Sequence, residues 1–195
     1  MLDAIIKKYH IILASSSPRR QQFLKDLGIS FDIVTKEIEE IYPKDLKRHE
    51  ITDFLAVLKA DAFEQDLKKN DILITSDTIV WHEDKALGKP KDYEDAFAIL
   101  QSLSGKTHEV ITSVCLTSIE KRIVFHEYTK VSFNSLSHAS IIYYLDHYKP
   151  YDKAGGYGIQ EWIGLIGINK IEGSYTNVVG FPTARVYQNL LKFIK

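Results

Sequence analysis

Ile11-Ile-Leu-Ala-Ser-Ser-Ser-Pro-Arg-Arg20 is the stretch on which the reading of this chain turns. Its first four residues form a short apolar run, as a buried strand requires. Three serines follow, then Pro18, whose fixed φ suits the first turn of a helix and whose missing N–H would have no partner there anyway. Ser17 is placed as the N-cap. Gln21, Phe23, Leu24 and Leu27 continue at helical spacing until Gly28 supplies a stop. A strand that feeds a helix through small hydroxyl residues turns free backbone N–H groups and the positive dipole end toward one point. Arg19 and Arg20 sit in that first turn, against the dipole, which makes sense if an anion lies between them. A plain strand–helix junction with two solvated arginines is the alternative, so this stretch needs support from elsewhere.

The whole chain narrows the classes. Its 195 residues suit one compact domain, 1–195, with at most two lobes. Hydrophobic residues make up 45% and charged ones 26%, an ordinary globular balance. The formal net charge is -1, with no long block of Lys or Arg, which speaks against nucleic acid as a partner. The single Cys115 lies in an apolar run and reads as a small buried hydrophobe in a reducing compartment. Met1 to His10 carries Asp3, Lys7 and Lys8 and no apolar h-region, so no signal peptide is expected. No apolar run approaches membrane-spanning length, and a cytoplasmic location is expected. The seven histidines never pair at metal-ligand spacing, so no zinc site is expected.

Along the chain, Phe31–Thr35 alternates weakly as a second strand and leads into an acidic segment ending in Glu39, Glu40 and Ile41. From Glu50 to Lys68, Ile51, Phe54, Leu55, Leu58, Ala62 and Phe63 recur at helical spacing, with Lys59 near the buried edge. Asp71-Ile-Leu-Ile-Thr-Ser-Asp-Thr-Ile-Val-Trp81 then carries an aspartate, Asp77, through an apolar strand. A buried carboxylate is costly unless paired, hydrogen-bonded or bound to a metal, which makes Asp77 the leading candidate for chemistry. A turn-forming Asp between two short strands is the plainer reading.

A tight turn at Glu83-Asp84 precedes Gly88-Lys-Pro90, where glycine and proline fix the backbone around Lys89. Asp92 caps a helix carrying Phe97, Ala98 and Leu100. Thr107–Ser118 and Arg122–Phe133 read as an antiparallel hairpin, and Ser137 begins a further helix. In Tyr151-Asp-Lys-Ala-Gly-Gly-Tyr-Gly-Ile-Gln160, clustered glycines would let the backbone approach a ligand, with Asp152, Lys153 and Gln160 as polar contacts; a flexible loop is the alternative. Neither the dinucleotide-binding nor the P-loop glycine spacing is present. Trp162–Ile171 is apolar and ends in a strand, and Pro182 starts a terminal helix.

Taken in order, Leu13-Ala-Ser-Ser-Ser-Pro-Arg-Arg20, Lys59-Ala60, Ser76-Asp-Thr-Ile-Val80, Gly88-Lys-Pro90, Leu103-Ser-Gly105, Asp152-Lys-Ala-Gly155 and Tyr157-Gly-Ile-Gln160 resemble the Maf family of nucleoside triphosphate pyrophosphatases. Gly173-Ser-Tyr175 and Val179-Gly-Phe-Pro182 fit as well, so the resemblance covers nearly the whole chain. It implies an α/β fold with a mixed, elongated β-sheet framed by helices around a central cleft, similar to inosine triphosphate pyrophosphatase. It implies hydrolysis of a nucleoside triphosphate between the α and β phosphates, a divalent metal cation (Mg2+ or Mn2+), a cytoplasmic location and, in many members, a homodimer. Residue by residue, it makes Asp77 the proton acceptor and, with Glu40, the metal partner. Ser15, Arg20, Lys59 and Lys89 fall at phosphate-binding positions.

The resemblance also separates substrate branches. The dTTP and UTP branch carries Arg, Thr and Gln at its three specificity positions, where this chain has Arg19, Thr78 and Gln160. The branch favouring 7-methyl-GTP carries tryptophan, glutamine and glutamate there. A carboxamide at position 160 offers donor and acceptor to a uracil or thymine edge. Glu161-Trp162 departs from the smaller residues usual after that glutamine. The implied function is dTTP and UTP pyrophosphatase, including a house-cleaning role against non-standard nucleotides. The alternatives are a 7-methyl-GTP pyrophosphatase and a nucleotide-binding regulator of cell division with little turnover.

Overall fold

The computed structural model describes residues 8–195. Residues 1–7, on which most of the signal-peptide expectation falls, lie outside the described residues. Seven strands form one mixed sheet, β1 (His10–Leu13), β2 (Asp32–Ile33), β3 (Asp71–His82), β4 (Lys85–Leu87), β5 (Thr107–Thr117), β6 (Arg122–Phe133) and β7 (Ile168–Glu172). Their order is β2-β1-β3-β5-β6-β7, with β4 paired to β3. The helices are α1 (Pro18–Asp26), α2 (His49–Asp61), α3 (Tyr93–Leu103), α4 (His138–Tyr148), α5 (Trp162–Gly167), α6 (Tyr175–Val179) and α7 (Thr183–Phe193). No described helix is long and apolar enough to cross a membrane. The chain divides into two compact units.

The first unit comprises the residues up to Asp77, with Thr112–Glu127 and Gly180–Lys195. Strand β1 runs parallel to β3, pairing His10 with Asp71 and Leu13 with Ile74, and parallel to β2 on its other side. Strand periodicity explains why these segments are apolar throughout. Ile72, Ile74, Val114 and Leu116 face Leu24 of α1 and Val186, Leu190 and Phe193 of α7. Leu73 and Cys115 point the other way, onto Ala56 and Ala60 of α2. Two structural readings shrink here. The strand expected over Phe31–Thr35 is confined to two exposed residues, Asp32 and Ile33. The helix expected to reach Lys68 ends at Asp61, because the chain tightens into a 3-10 turn at Glu64–Asp66. There Lys36 bonds the Ala62 carbonyl and Asp66 and lies over the Phe63 ring.

The second unit comprises Thr78–Ile111 and Tyr128–Val179. Glu83 and Asp84 have φ of 46° and 58°, the left-handed pair that a two-residue hairpin turn needs, and join β3 to β4. The Asp92 carboxylate accepts the Asp95 N–H at 2.8 Å and caps α3. Ser137 caps α4 through the Ser140 N–H at 3.1 Å. Strands β5 and β6 are neighbours, and the four residues that join them, 118–121, belong to the first unit; so short a connection serves only an antiparallel pair. The core gathers Val80, Leu100, Leu103, Val110, Val131, Ile141, Leu145 and Ile163. The glycine cluster belongs to this packing. Gly155 has φ of 72°, and a Cβ there would lie 2.5 Å from Val80 Cγ2; one on Gly156 would meet Pro90 Cγ at 3.1 Å. The close approach that these glycines allow is to the protein's own chain, and Gly155 and Gly156 are buried.

Candidate active site

The turn after β1 is built differently from a simple N-cap. Ser17 occupies the cap position of α1 without a side-chain cap bond, and its own N–H donates to Ser15 Oγ at 3.2 Å. Arg20, one helical step further, is no solvated arginine. Its Nε donates to the Gly180 carbonyl at 2.9 Å and its Nη1 to the Ser76 carbonyl at 2.9 Å and to Ser15 Oγ at 3.4 Å. These three partners are neutral oxygens, and they fix the guanidinium in place. Burial lowers the Arg20 pKa, an effect that Asp77 opposes and the neighbouring Arg19 reinforces.

The second component comes from α2 and β3. Thr75 donates its hydroxyl to the Ala56 carbonyl at 2.6 Å and ties the helix to the strand. Lys59 follows three residues after Ala56, so it shares that face of the helix. Its Nζ lies 2.6 Å from Asp77 Oδ1 and 3.0 Å from Glu40 Oε1. β3 is one continuous strand, and Asp77 lies within it with only 6% of its surface exposed. Burial raises the Asp77 pKa above the usual carboxylate value; Lys59 opposes it most, Glu40 adds to it and Arg20 opposes it more weakly. Ser76 Oγ is also buried and has no hydrogen-bond partner among the described residues.

Ser15, Arg20, Lys59, Asp77 and Glu40 are therefore linked within the first unit. Thr75 ties the helix that carries Lys59 to β3, and Gly180, part of the Val179-Gly-Phe-Pro182 stretch, holds Arg20. Asp77 and Glu40 place hard oxygen donors about one ammonium, a donor set that suits Mg2+ or Mn2+. Thr78, Lys89 and Gln160 belong to the second unit. Thr78 is half-buried on β3, while Lys89 is exposed between Gly88 and the buried Pro90. The Gly88 carbonyl accepts the Gly155 N–H at 2.9 Å, which fixes the backbone beside Lys89. Gln160 is exposed. The unusual Glu161 next to it is braced, bonded by the Tyr144 hydroxyl and lying 3.1 Å from Lys153 Nζ. Tyr144 in turn accepts the Gly158 N–H at 2.9 Å.

Histidines do come together in space, for His49, Asp53 and His126 converge in the first unit. Seventy-seven residues separate the two histidines, so no local spacing could announce the cluster.

A mixed sheet framed by helices is also the architecture of the Ham1 protein of Staphylococcus aureus. That structure matches with a TM-score of 0.53 at 15% identity, over 95% of this chain and 100% of that one. The family model described as Maf-like protein matches residues 10–193, and the chain belongs to the Maf family. Among its relatives, a protein of Flavobacterium johnsoniae named dTTP/UTP pyrophosphatase is 61% identical over 194 residues, covering 100% of both chains. A protein of the same name from Bacteroides fragilis is 48% identical over 188 residues, covering 96% of this chain and 97% of its own.

Proposed function

We propose that this protein is a nucleoside triphosphate pyrophosphatase that hydrolyses dTTP and UTP to the monophosphate and pyrophosphate. The observation that carries the reading is the buried Asp77 held against Lys59, with Arg20 fixed by neutral partners in the same unit. Attack of water on a polyphosphate needs cations to offset the anionic charge and a group to receive the water proton. Asp77 is suited to that second task because burial raises its proton affinity, and a stronger base draws the proton more effectively. Lys59, Arg20 and Ser15 hold phosphate oxygens, and Lys89 adds a further cation. An arriving triphosphate competes with Asp77 and Glu40 for the Lys59 ammonium, which couples substrate binding to the freeing of the base.

Asp77 and Glu40 would hold a divalent cation. When bound, such an ion offsets polyphosphate charge and makes a coordinated water more acidic. Arg19, Thr78 and Gln160 select the base, with the Gln160 carboxamide reading a uracil or thymine edge. The names of the relatives support this substrate choice. The same reading puts the enzyme with the nucleotide pools of the cytoplasm, as a homodimer, removing non-standard pyrimidine triphosphates as well.

The test is a substrate panel. Pyrophosphate release should be faster from dTTP and UTP than from CTP, dATP, GTP or 7-methyl-GTP. A preference for 7-methyl-GTP overturns the substrate assignment, and binding of dTTP without turnover favours the regulator reading.

A further inference from the structure

At the opposite end of α2 from Lys59, His49 and Asp53 lie four residues apart on one face of the helix. His126 of β6 meets them there. The imidazole rings of His49 and His126 have centroids 4.3 Å apart, tilted by 41°, and His126 Nδ1 lies 3.3 Å from Asp53 Oδ2. One ligand atom from each of the three side chains falls within 4.8 Å of the others. A tetrahedral zinc with bonds of about 2.0–2.1 Å holds its ligand atoms roughly 3.4 Å apart. Small rotations of the two rings would close the triangle to that size.

The carboxylate is already oriented for this. Ser113 Oγ donates to Asp53 Oδ1 at 2.6 Å and thereby leaves Oδ2 directed at His126. Thr52 Oγ1 lies 2.6 Å from Ser113 Oγ and supports it from within the protein. Thr52 and Ser113 are fully buried, whereas Asp53 and His126 keep about a third of their side-chain surface exposed. An ion could therefore reach the cluster from solvent while its supporting hydroxyls stay fixed, the arrangement by which outer partners orient metal ligands.

We propose that His49, Asp53 and His126 form a second metal site, selective for zinc-like divalent transition ions and separate from the carboxylate pair at Asp77. Two imidazoles with one carboxylate suit Zn2+, whereas Mg2+ and Ca2+ favour oxygen donors throughout. Three protein ligands leave a position for water or a further ligand. The ion joins the first turn of α2 to β6. Lys59 is ten residues further along the same helix, about 15 Å away at 1.5 Å per residue, so the two sites do not share ligands.

The test uses the full chain, stripped with chelator and titrated with ZnCl2 alone by calorimetry. One equivalent of zinc should bind and raise the melting temperature, because only the folded state presents all three ligands. His126→Ala and Asp53→Asn should each weaken zinc binding at least ~10-fold, and Ser113→Ala should weaken it by about that factor through lost orientation. Circular dichroism of each variant without metal shows whether it has folded, and His126→Gln replaces any variant that has not. Asp77→Asn should bind zinc as the wild type does. Added Co2+ should develop visible absorption bands in the wild type and in Asp77→Asn, but not in the folded His126 variant. The proposal is overturned if wild-type protein takes up no zinc, or if a folded His126 variant takes it up unchanged. It is equally overturned if Asp77→Asn abolishes the uptake. None of these outcomes depends on nucleotide turnover, so the hydrolase reading stands or falls separately.

Discussion

The Lys59 ammonium lies 2.6 Å from the carboxylate of Asp77, and both side chains are largely withdrawn from water, 15% and 9% exposed. A pair in such surroundings is sensitive to the removal of either member, since the survivor keeps its desolvation penalty and loses its partner. Asp77→Asn preserves shape and removes the proposed proton acceptor. It should lower dTTP turnover at least ~100-fold while the circular dichroism spectrum is retained. A folded variant with near-normal turnover removes Asp77 from the mechanism.

The pH profile reports on the same pair. Burial raises the Asp77 pKa and Lys59 holds it down, so the ionised form of the proposed base is lost on the acid side at a pH above the usual carboxylate value. Lys59→Met removes the cation that favours the charged form. The acid limb of kcat/KM should therefore move to still higher pH, with a lower plateau. Lys89→Ala should also lower turnover, whereas Lys85→Ala, in the hairpin after β3, should do little. An acid limb that stays in place in Lys59→Met contradicts the coupling.

On the proposed function, base selection rests on Gln160. A carboxylate at that position would face a uracil carbonyl with no proton to donate, a mismatch of roughly 1–3 kcal/mol. Gln160→Glu should therefore depress dTTP and UTP hydrolysis by about 5- to 150-fold and change the order of the substrate panel. An unchanged ranking assigns the base contact elsewhere.

How much of this was legible in the sequence follows from where each contact partner lies. The β1–α1 junction, the long β3, the Asp92 and Ser137 caps and the Pro182 helix start depend on neighbouring residues, and local pattern announces them. Arg20 is different, because its partners Ser76 and Gly180 lie 56 and 160 residues away. Its burial cannot be read from the turn that carries it. The turn that follows α2 likewise carries a remote contact, from Lys36 to the Ala62 carbonyl across 26 residues. The glycine cluster invited a ligand reading because sequence shows only that a close approach is possible; Val80 turns out to be what is approached.

That packing makes its own prediction. Gly155→Ala places a methyl group 2.5 Å from Val80 Cγ2 on a backbone with φ of 72°. The combined overpacking and strain should cost about 1–3 kcal/mol in denaturant-induced unfolding. A variant as stable as the wild type would mean that the Ala154–Gly156 turn relaxes freely.

Stability should also depend on a histidine in the second unit. His108 is buried against Phe133 and shares a 2.7 Å hydrogen bond with the Tyr157 hydroxyl, and burial lowers its pKa from 6.5 to about 3. Between these values the unfolded chain binds a proton that the folded chain does not. Its contribution is therefore complete above pH 6.5 and declines as the pH falls toward 3, by up to ~1.4 kcal/mol per pH unit. His108→Gln should flatten the decline between pH 6 and pH 4.5 in urea titrations, measured at about those two limits. Parallel curves for variant and wild type would exclude His108 as the source.

The most direct test of the central claim is the identity of the phosphate product from dTTP with Mg2+ or Mn2+. Cleavage between the α and β phosphates predicts dTMP and pyrophosphate in equal amounts, with no early orthophosphate, and loss of both products in Asp77→Asn. Formation of dTDP and orthophosphate would contradict it, as would pyrophosphate release that persists in the folded Asp77→Asn protein.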